Sequence, residues 1–298
     1  MNLLILQFLD YLTDIKKRSS HTVLSYRNDL NSFNLYIDEQ YEVSEVSGVS
    51  HLMIRSWLVS MKSQGITNIS INRKISALKT FYKYLRQKEL VKINPMTKVL
   101  TLKKSKRLPT FVPKQKMEYL LEDQLNGEQT FSQCRNDLII TLLYMTGIRR
   151  SELIGIKQKD INRARLEVKV VGKGNKERLC PLTAEIIEKI DKYIEQRQVE
   201  CGKLDHDYLI VTDKGKPSYP KLIFNVVTRA LKSINASEKT SPHVLRHTFA
   251  THLSANGAEL NAIKELLGHA SLAATQVYTH NTIDRLKEEY KKAHPKGE

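Results

Sequence analysis

The chain has 298 residues, of which 41% are hydrophobic, enough for about two globular domains with separate cores. No stretch approaches the roughly 18 uninterrupted apolar residues of a membrane span, so no membrane-spanning helix is expected. With 48 Lys and Arg against 32 Asp and Glu, the formal charge of +16 suits a polyanion such as DNA and is equally compatible with a plain basic surface.

The opening residues Met1 to Asp10 are apolar but lack a basic start and a small-residue cleavage site. They read as a folded amphipathic helix, about Leu3 to Lys17, and not as a signal peptide. A second helix opens at Ser20 as cap, with Val23, Leu24, Tyr26, Arg27, Leu30, Phe33 and Leu35 following at helical spacing. The third runs from His51 to Gln64 and stops at Gly65. The fourth, Ser70 to Lys88, aligns Ile71, Ile75, Leu78, Tyr82 and Leu85, with Arg73, Lys74, Lys79, Lys83 and Arg86 elsewhere on its surface. Four such helices predict a bundle that Asn94-Pro95 ends, because the residue before proline avoids helical geometry, within a first domain of residues 1–102.

Residues 103–109 read as a basic linker, in which Lys103, Lys104, Lys106 and Arg107 precede Leu108-Pro109. It is either simply solvated or laid along a phosphate backbone. Residues 110–298 mix helices with a small antiparallel sheet. Asn136 to Thr146 predicts a buried helix ending at Gly147. Leu166, Val168 and Val170 alternate with polar residues, and Glu177 to Leu182 forms a second strand after Gly172-Lys173-Gly174-Asn175, which together predict a hairpin. Further helices are expected over 183–198, 220–234, 242–255, 260–267, 271–278 and 283–292. Cys134, Cys180 and Cys201 are odd in number and lack zinc-site spacing, which points to reduced thiols in a cytosol.

The chemistry-bearing residues fall at element boundaries. In Thr146-Gly147-Ile148-Arg149-Arg150-Ser151-Glu152-Leu153, Gly147 supplies a turn between two helices, with Ser151 or Thr146 as candidate cap. Arg149 there either pairs with Glu152 on the surface or clamps a phosphate oxygen. Ser241-Pro242-His243 has the cap and first-turn proline of a helix start. His243 and Arg246, three apart, share a face opposite Leu245, Phe249 and Leu253. His247 is a rival to His243 or a packing histidine. Lys173 on the hairpin is either turn chemistry on a basic surface or a lysine able to protonate a departing oxygen; the P-loop pattern is absent. Tyr278, one of 13 tyrosines, lies nine residues after the Gly268-His269 pair. A phenol titrates near ~10, so attack at neutral pH needs a base or nearby cations, which Arg149, Arg246, His243 and His269 would supply if they converge.

These motifs in order closely resemble those of the tyrosine recombinase, or phage integrase, family, and within it the Xer type. They are Thr-Gly-Ile-Arg-Arg-Ser-Glu-Leu, Gly-Lys-Gly-Asn-Lys-Glu-Arg, His-Val-Leu-Arg-His-Thr-Phe-Ala-Thr-His-Leu, Leu-Leu-Gly-His and Val-Tyr-Thr-His. The segments from Ser20 to Leu30 and from Ser70 to Lys79 match the family's core-binding half, so the resemblance runs nearly end to end.

The resemblance implies a mainly α fold, in which a helical SAM-like core-binding bundle and a catalytic domain with a small antiparallel sheet form a C-shaped DNA clamp. It assigns Arg149 and Arg246 as phosphate clamp, Lys173 as general acid, His243 and His269 as proton-handling groups, and Tyr278 as the nucleophile that forms a 3′-phosphotyrosine. Charge stabilisation by these side chains replaces divalent metal, so no cofactor and no metal are expected. The partner is double-stranded DNA at a specific recombination site, with no membrane association and a cytoplasmic, nucleoid-associated location. The apolar stripe Ile283, Leu286, Tyr290 and Ala293 on a helix over about 282–293 either packs on its own domain or, as the resemblance implies, docks on the next protomer of a homotetramer, or of a heterotetramer with a second Xer-like recombinase. The chain opens directly on the bundle, which points to a simple recombinase without an arm-binding domain. Chromosome-dimer resolution is the leading role, with mobile-element integration or inversion, a non-cleaving DNA-binding accessory protein and a nicking-resealing topoisomerase as alternatives.

Overall fold

The computed structural model describes residues 2–43, 45–103, 110–122, 129–172, 174–236, 240–268 and 280–296, with side chains of the last helix described from 286 onward. The chain divides into two compact units, Met1–Arg107 and Leu108–Glu298.

The first unit holds α1 (Leu3–Asp10), α2 (Ser20–Tyr41), α3 (His51–Ser63) and α4 (Asn68–Gln87). The expected first helix is shorter as an α-helix, because one π-helical turn, Tyr11–Ile15, replaces its end. Ser19, not Ser20, caps α2 by accepting from the Thr22 N–H. Leu24 and Leu35 are exposed, because 3.6 residues per turn carries them to the far side of the helix from buried Leu30, Phe33 and Ile37. The α4 stripe is as expected, with Ile71, Ile75, Leu78, Tyr82 and Leu85 all buried. Arg73 and Lys74 are more than surface charges, since both ion-pair with the buried Asp29 of α2. The Tyr82 hydroxyl donates to the Val46 carbonyl at 2.9 Å, which satisfies its one polar atom inside the core.

The bundle does not end at Asn94-Pro95. Pro95–Lys98 forms a 3-10 turn in which Pro95 and Met96 are buried, and Val99 joins the same core. Asn72 then fastens the exit strand: its side chain accepts from the Leu102 N–H at 2.8 Å and donates to the Leu102 carbonyl at 2.9 Å.

The second unit is built around α6 (Phe131–Thr146), which packs against α8 (Ala184–Cys201), α9 (Pro220–Ser233) and α10 (Pro242–Ala255), and around which α5 (Lys114–Glu122), α7 (Arg150–Gly155), α11 (Leu260–Leu267) and α12 (His280–Ala293) are arranged. α6 begins five residues before its expected start at Asn136, capped by Thr130 and Gln133. Its first turn includes the buried Arg135, paired to Asp213 at 2.6 Å, which disguises the segment as polar. α5 was not anticipated, although Met117, Leu120 and Leu121 follow helical spacing and are buried. The sheet has the order β1-β2-β3, all antiparallel, from β1 (Ile161–Asn162), β2 (Glu167–Val171) and β3 (Glu177–Pro181). Val168 faces Cys180 and Val170 faces Arg178 across the hairpin, and Val168, Val170, Arg178 and Cys180 are all buried.

Along its described side chains the α12 stripe packs on its own unit, the first of the two placements that the sequence leaves open. Leu286, Tyr290 and Ala293 are buried in the core of their own unit, and the ring of Tyr290 stacks on His294 at 4.9 Å. Lys287 adds an ion pair to Glu167 at 3.2 Å, so the helix is closed in cis along described residues. Ile283 and the helix expected over 271–278 lie outside the described side chains and residues. All three cysteines are free thiols, and no helix among the described residues is long and apolar enough to cross a membrane.

Because Asn72 is almost fully buried and satisfies both backbone groups of Leu102, Asn72→Ala is expected to destabilise the first unit by about 1–3 kcal/mol. Urea unfolding of the full chain followed by Trp57 fluorescence measures this. An unchanged midpoint would show that water replaces the amide at no cost.

Candidate active site

The site begins where α6 stops. Gly147 takes φ +61°, and a Cβ there would lie 2.4 Å from a ring carbon of Phe249, so only glycine allows α6 to turn this close to α10. The turn delivers Arg149 to the N-cap position of α7. Neither Ser151 nor Thr146 caps that helix; the Thr146 hydroxyl bonds back to Leu142 within α6. Glu152, at the third position of α7, does the capping by accepting from the Arg149 N–H at 2.7 Å. The same carboxylate accepts from the Arg149 guanidinium Nη1 at 2.7 Å.

Thus the Arg149–Glu152 pair offered by the sequence exists, but it is no surface pair. The Glu152 side chain is 1% exposed, whereas that of Arg149 is 32% exposed. Glu152 is also gripped from the other side by Arg178 of β3, whose Nη1 and Nη2 donate to its two oxygens at 2.9 Å each. Such a fork is the strongest geometry available to an arginine and carboxylate.

Arg246 reaches the same place from α10. Its Nη1 donates to the Gly147 carbonyl and its Nη2 to the Leu267 carbonyl, both at 2.6 Å. The end of α11 therefore receives one arginine at each of three successive carbonyls. Arg178 Nε binds Leu266 at 3.2 Å, Arg246 binds Leu267, and Arg149 Nη2 lies 3.4 Å from the Gly268 oxygen. Helix C-terminal carbonyls lack partners within the helix and carry the negative end of its dipole, so they are a natural receptor for cations. Gly268 closes the helix with φ +63°, and a Cβ there would lie 3.0 Å from Arg178.

The electrostatics follow from this packing. Burial alone would raise the Glu152 carboxyl, but hydrogen bonds from Arg178 and Arg149 outweigh it and bring the carboxyl down to about 2. Arg246 is lowered to about 10, first by burial and then by the charge of Arg149 beside it. It remains a cation at neutral pH. A guanidinium has five N–H donors, of which Arg149 and Arg246 each spend two on the side-chain contacts above, so both retain donors for an incoming anion.

Of the six residues singled out in the sequence, Arg149 and Arg246 meet here. His243 is the exposed second residue of α10, three before Arg246 and near the positive end of that helix. Lys173, His269 and Tyr278 lie outside the described residues. The residues that precede the first two are placed: Gly172 sits where a Cβ would be 3.2 Å from a Glu152 oxygen, and the Gly268 carbonyl lies 3.4 Å from Arg149 Nη2. Arg178 escaped sequence reasoning. Its signal was an arginine in phase with Cys180 on the inward side of a strand, where a charge must have a buried partner.

Glu152 makes stability depend on acid. Its pKa is depressed in the folded state, so its contribution is complete above its ordinary value of 4.5 and is lost as pH falls toward about 2. Glu152→Gln is expected to lower the denaturation midpoint at pH 7 and to flatten the pH dependence between about 4.5 and 2. Parallel stability profiles for the two proteins would contradict this.

Comparison with known proteins places the chain in a family. Residues 110–285 match the phage integrase family and residues 5–89 match the phage integrase N-terminal SAM-like domain. The tyrosine recombinase XerC of Listeria innocua is 37% identical over 98% of this chain and 97% of its own length. The tyrosine recombinase XerD of Halalkalibacterium halodurans is 34% identical, again over 98% of this chain and 97% of its own. The crystal structure of the XerH site-specific recombinase, in a post-cleavage complex with palindromic difH substrate, superposes with a TM-score of 0.72 at 25% identity, covering 90% of this chain and 78% of that one. With a family match across most of its length and an arginine pair gathered at one helix end, the chain belongs to the phage integrase family and is a site-specific tyrosine recombinase of the Xer type.

Proposed function

We propose that this protein binds double-stranded DNA at a specific recombination site and exchanges strands there through a 3′-phosphotyrosine on Tyr278. The observation that carries the reading is the meeting of Arg149 and Arg246 at the end of α11, the point from which the chain runs on to His269 and Tyr278. Two cations with spare N–H donors make a receptor for the non-bridging oxygens of one phosphodiester. As the tyrosine oxygen attacks, charge on those oxygens grows, and a pre-oriented guanidinium pair stabilises that state more than the ground state.

In this mechanism the Tyr278 oxygen forms a bond to the scissile phosphorus, and the bond from phosphorus to the 5′ oxygen breaks. The phenol proton passes to His243 or His269, and Lys173 protonates the leaving 5′ oxygen to give the free 5′-hydroxyl. One phosphodiester replaces another, so a 5′-hydroxyl from a partner duplex reverses the step with no energy source. The residues themselves supply the cationic charge, and the reaction is assigned no metal and no cofactor.

The similarity to XerC and XerD supports chromosome-dimer resolution in the cytoplasm, on the nucleoid, by a tetramer of this chain alone or with a second recombinase of the same type. Because the α12 stripe is buried in cis, docking of that stripe on a neighbour requires it to leave Phe249 first.

A nicked duplex carrying the sequence that the protein selects from a random pool tests the reading, because the cleaved strand diffuses away and traps the adduct. Wild-type protein is expected to form a covalent complex that persists in EDTA, and Tyr278→Phe to form none while binding with similar affinity. An adduct that survives Tyr278→Phe, or wild-type binding without any adduct, would overturn it. Arg149→Ala and Arg246→Ala are each expected to slow adduct formation by about 100-fold or more, the usual cost of removing a transition-state donor.

A further inference from the structure

We infer that Arg178 is a positioning residue for DNA cleavage, holding Glu152 so that Glu152 aims Arg149 at the phosphate. This inference rests on the function proposed above and adds a residue to it. Arg178 has no route to the substrate itself, since its side chain is only 5% exposed. It nevertheless touches the structural parts of the arginine cluster. Its fork fills both oxygens of Glu152, its Nε holds the Leu266 carbonyl at the end of α11, and Gly268 packs against its guanidinium.

A purely structural ion pair does not need this arrangement. Burying a carboxylate and a guanidinium contributes little net stability compared with apolar residues of the same volume, because desolvation offsets the attraction. What the pair does provide is direction. Glu152 Oε1 is shared between Arg178 Nη1 at 2.9 Å and Arg149 Nη1 at 2.7 Å, and its other oxygen takes both Arg178 Nη2 and the Arg149 backbone N–H. The carboxylate plane is thereby fixed at both ends, and the Arg149 guanidinium is held at a defined angle beside Arg246. Lysine at position 178 keeps the charge but lacks the planar fork, so it cannot fix both oxygens and the Leu266 carbonyl together.

Positioning of a phosphate clamp has a signature that loss of fold does not share. Replacing one non-bridging oxygen of the scissile phosphate by methyl removes its negative charge, and with it most of the need for an accurately aimed guanidinium. Arg178→Lys should therefore slow cleavage of the ordinary nicked duplex by about 100-fold at saturating DNA, with the DNA dissociation constant within about 2-fold of wild type. On the methylphosphonate duplex most of that deficit should disappear. Should Arg178→Lys fail to fold, the paired variant Glu152→Leu with Arg178→Met, which exchanges the ion pair for apolar volume, carries the same expectation. A variant that cleaves at the wild-type rate, or is slowed equally on both substrates, or loses DNA binding in parallel, overturns the inference. If wild-type protein forms no adduct on either substrate, the fault lies instead with the function proposed above.

Discussion

One buried carboxylate makes the arrangement possible. Guanidinium groups repel each other, and bringing Arg149, Arg178 and Arg246 together inside a protein has to be offset by something negative. Glu152 provides a full charge and the end of α11 provides three carbonyl dipoles. Where two cations are packed this closely before any ligand arrives, a third party of opposite sign fits between them, and phosphate has the charge and the planar pairs of oxygens that guanidinium forks match. On the proposed mechanism, the reorganisation that would otherwise accompany catalysis is completed during folding.

The same contacts join segments that are remote in the chain. α6 and α7 contribute the turn with Gly147 and Arg149, the hairpin contributes Arg178 and ends in the loop of Lys173, α10 contributes His243 and Arg246, and α11 contributes the carbonyls. The apolar framework under them is continuous: Phe249 packs against Gly147 and lies near Tyr290 of α12. α11, which ends at Leu267 beside the arginines, and α12, which opens at His280, belong to the same unit.

Much of this was legible in the residues. Gly147 and the Ser241-Pro242 pair mark real helix boundaries, α11 falls where its apolar spacing puts it, and the hairpin follows from alternation around Gly172 to Asn175. Arg149 and Arg246 were singled out by the family resemblance, since residue chemistry alone left Arg149 open between a pair with Glu152 and a phosphate clamp. What escaped has a common cause: charges that are buried look like surface in a sequence. Arg135 hid the start of α6, Asp29 gave no sign that it would gather Arg73 and Lys74, and Arg178 was not marked out from the rest of its strand. The partner that makes burial tolerable is remote in the chain in each case. The reverse error occurred at Leu24 and Leu35, apolar residues that the helix turns outward; the apolar stripe of α12 carries no mark of whether its own unit or another covers it.

The most direct measurement is a crystal structure of the Tyr278→Phe protein bound to its selected duplex. Arg149 and Arg246 should keep their contacts to Gly268 and Leu267 and direct their remaining N–H groups to the oxygens of a single phosphate, with the ring at position 278 facing its phosphorus. A duplex whose phosphates all bypass these two arginines, or a cluster that comes apart on binding, would contradict a site assembled in advance.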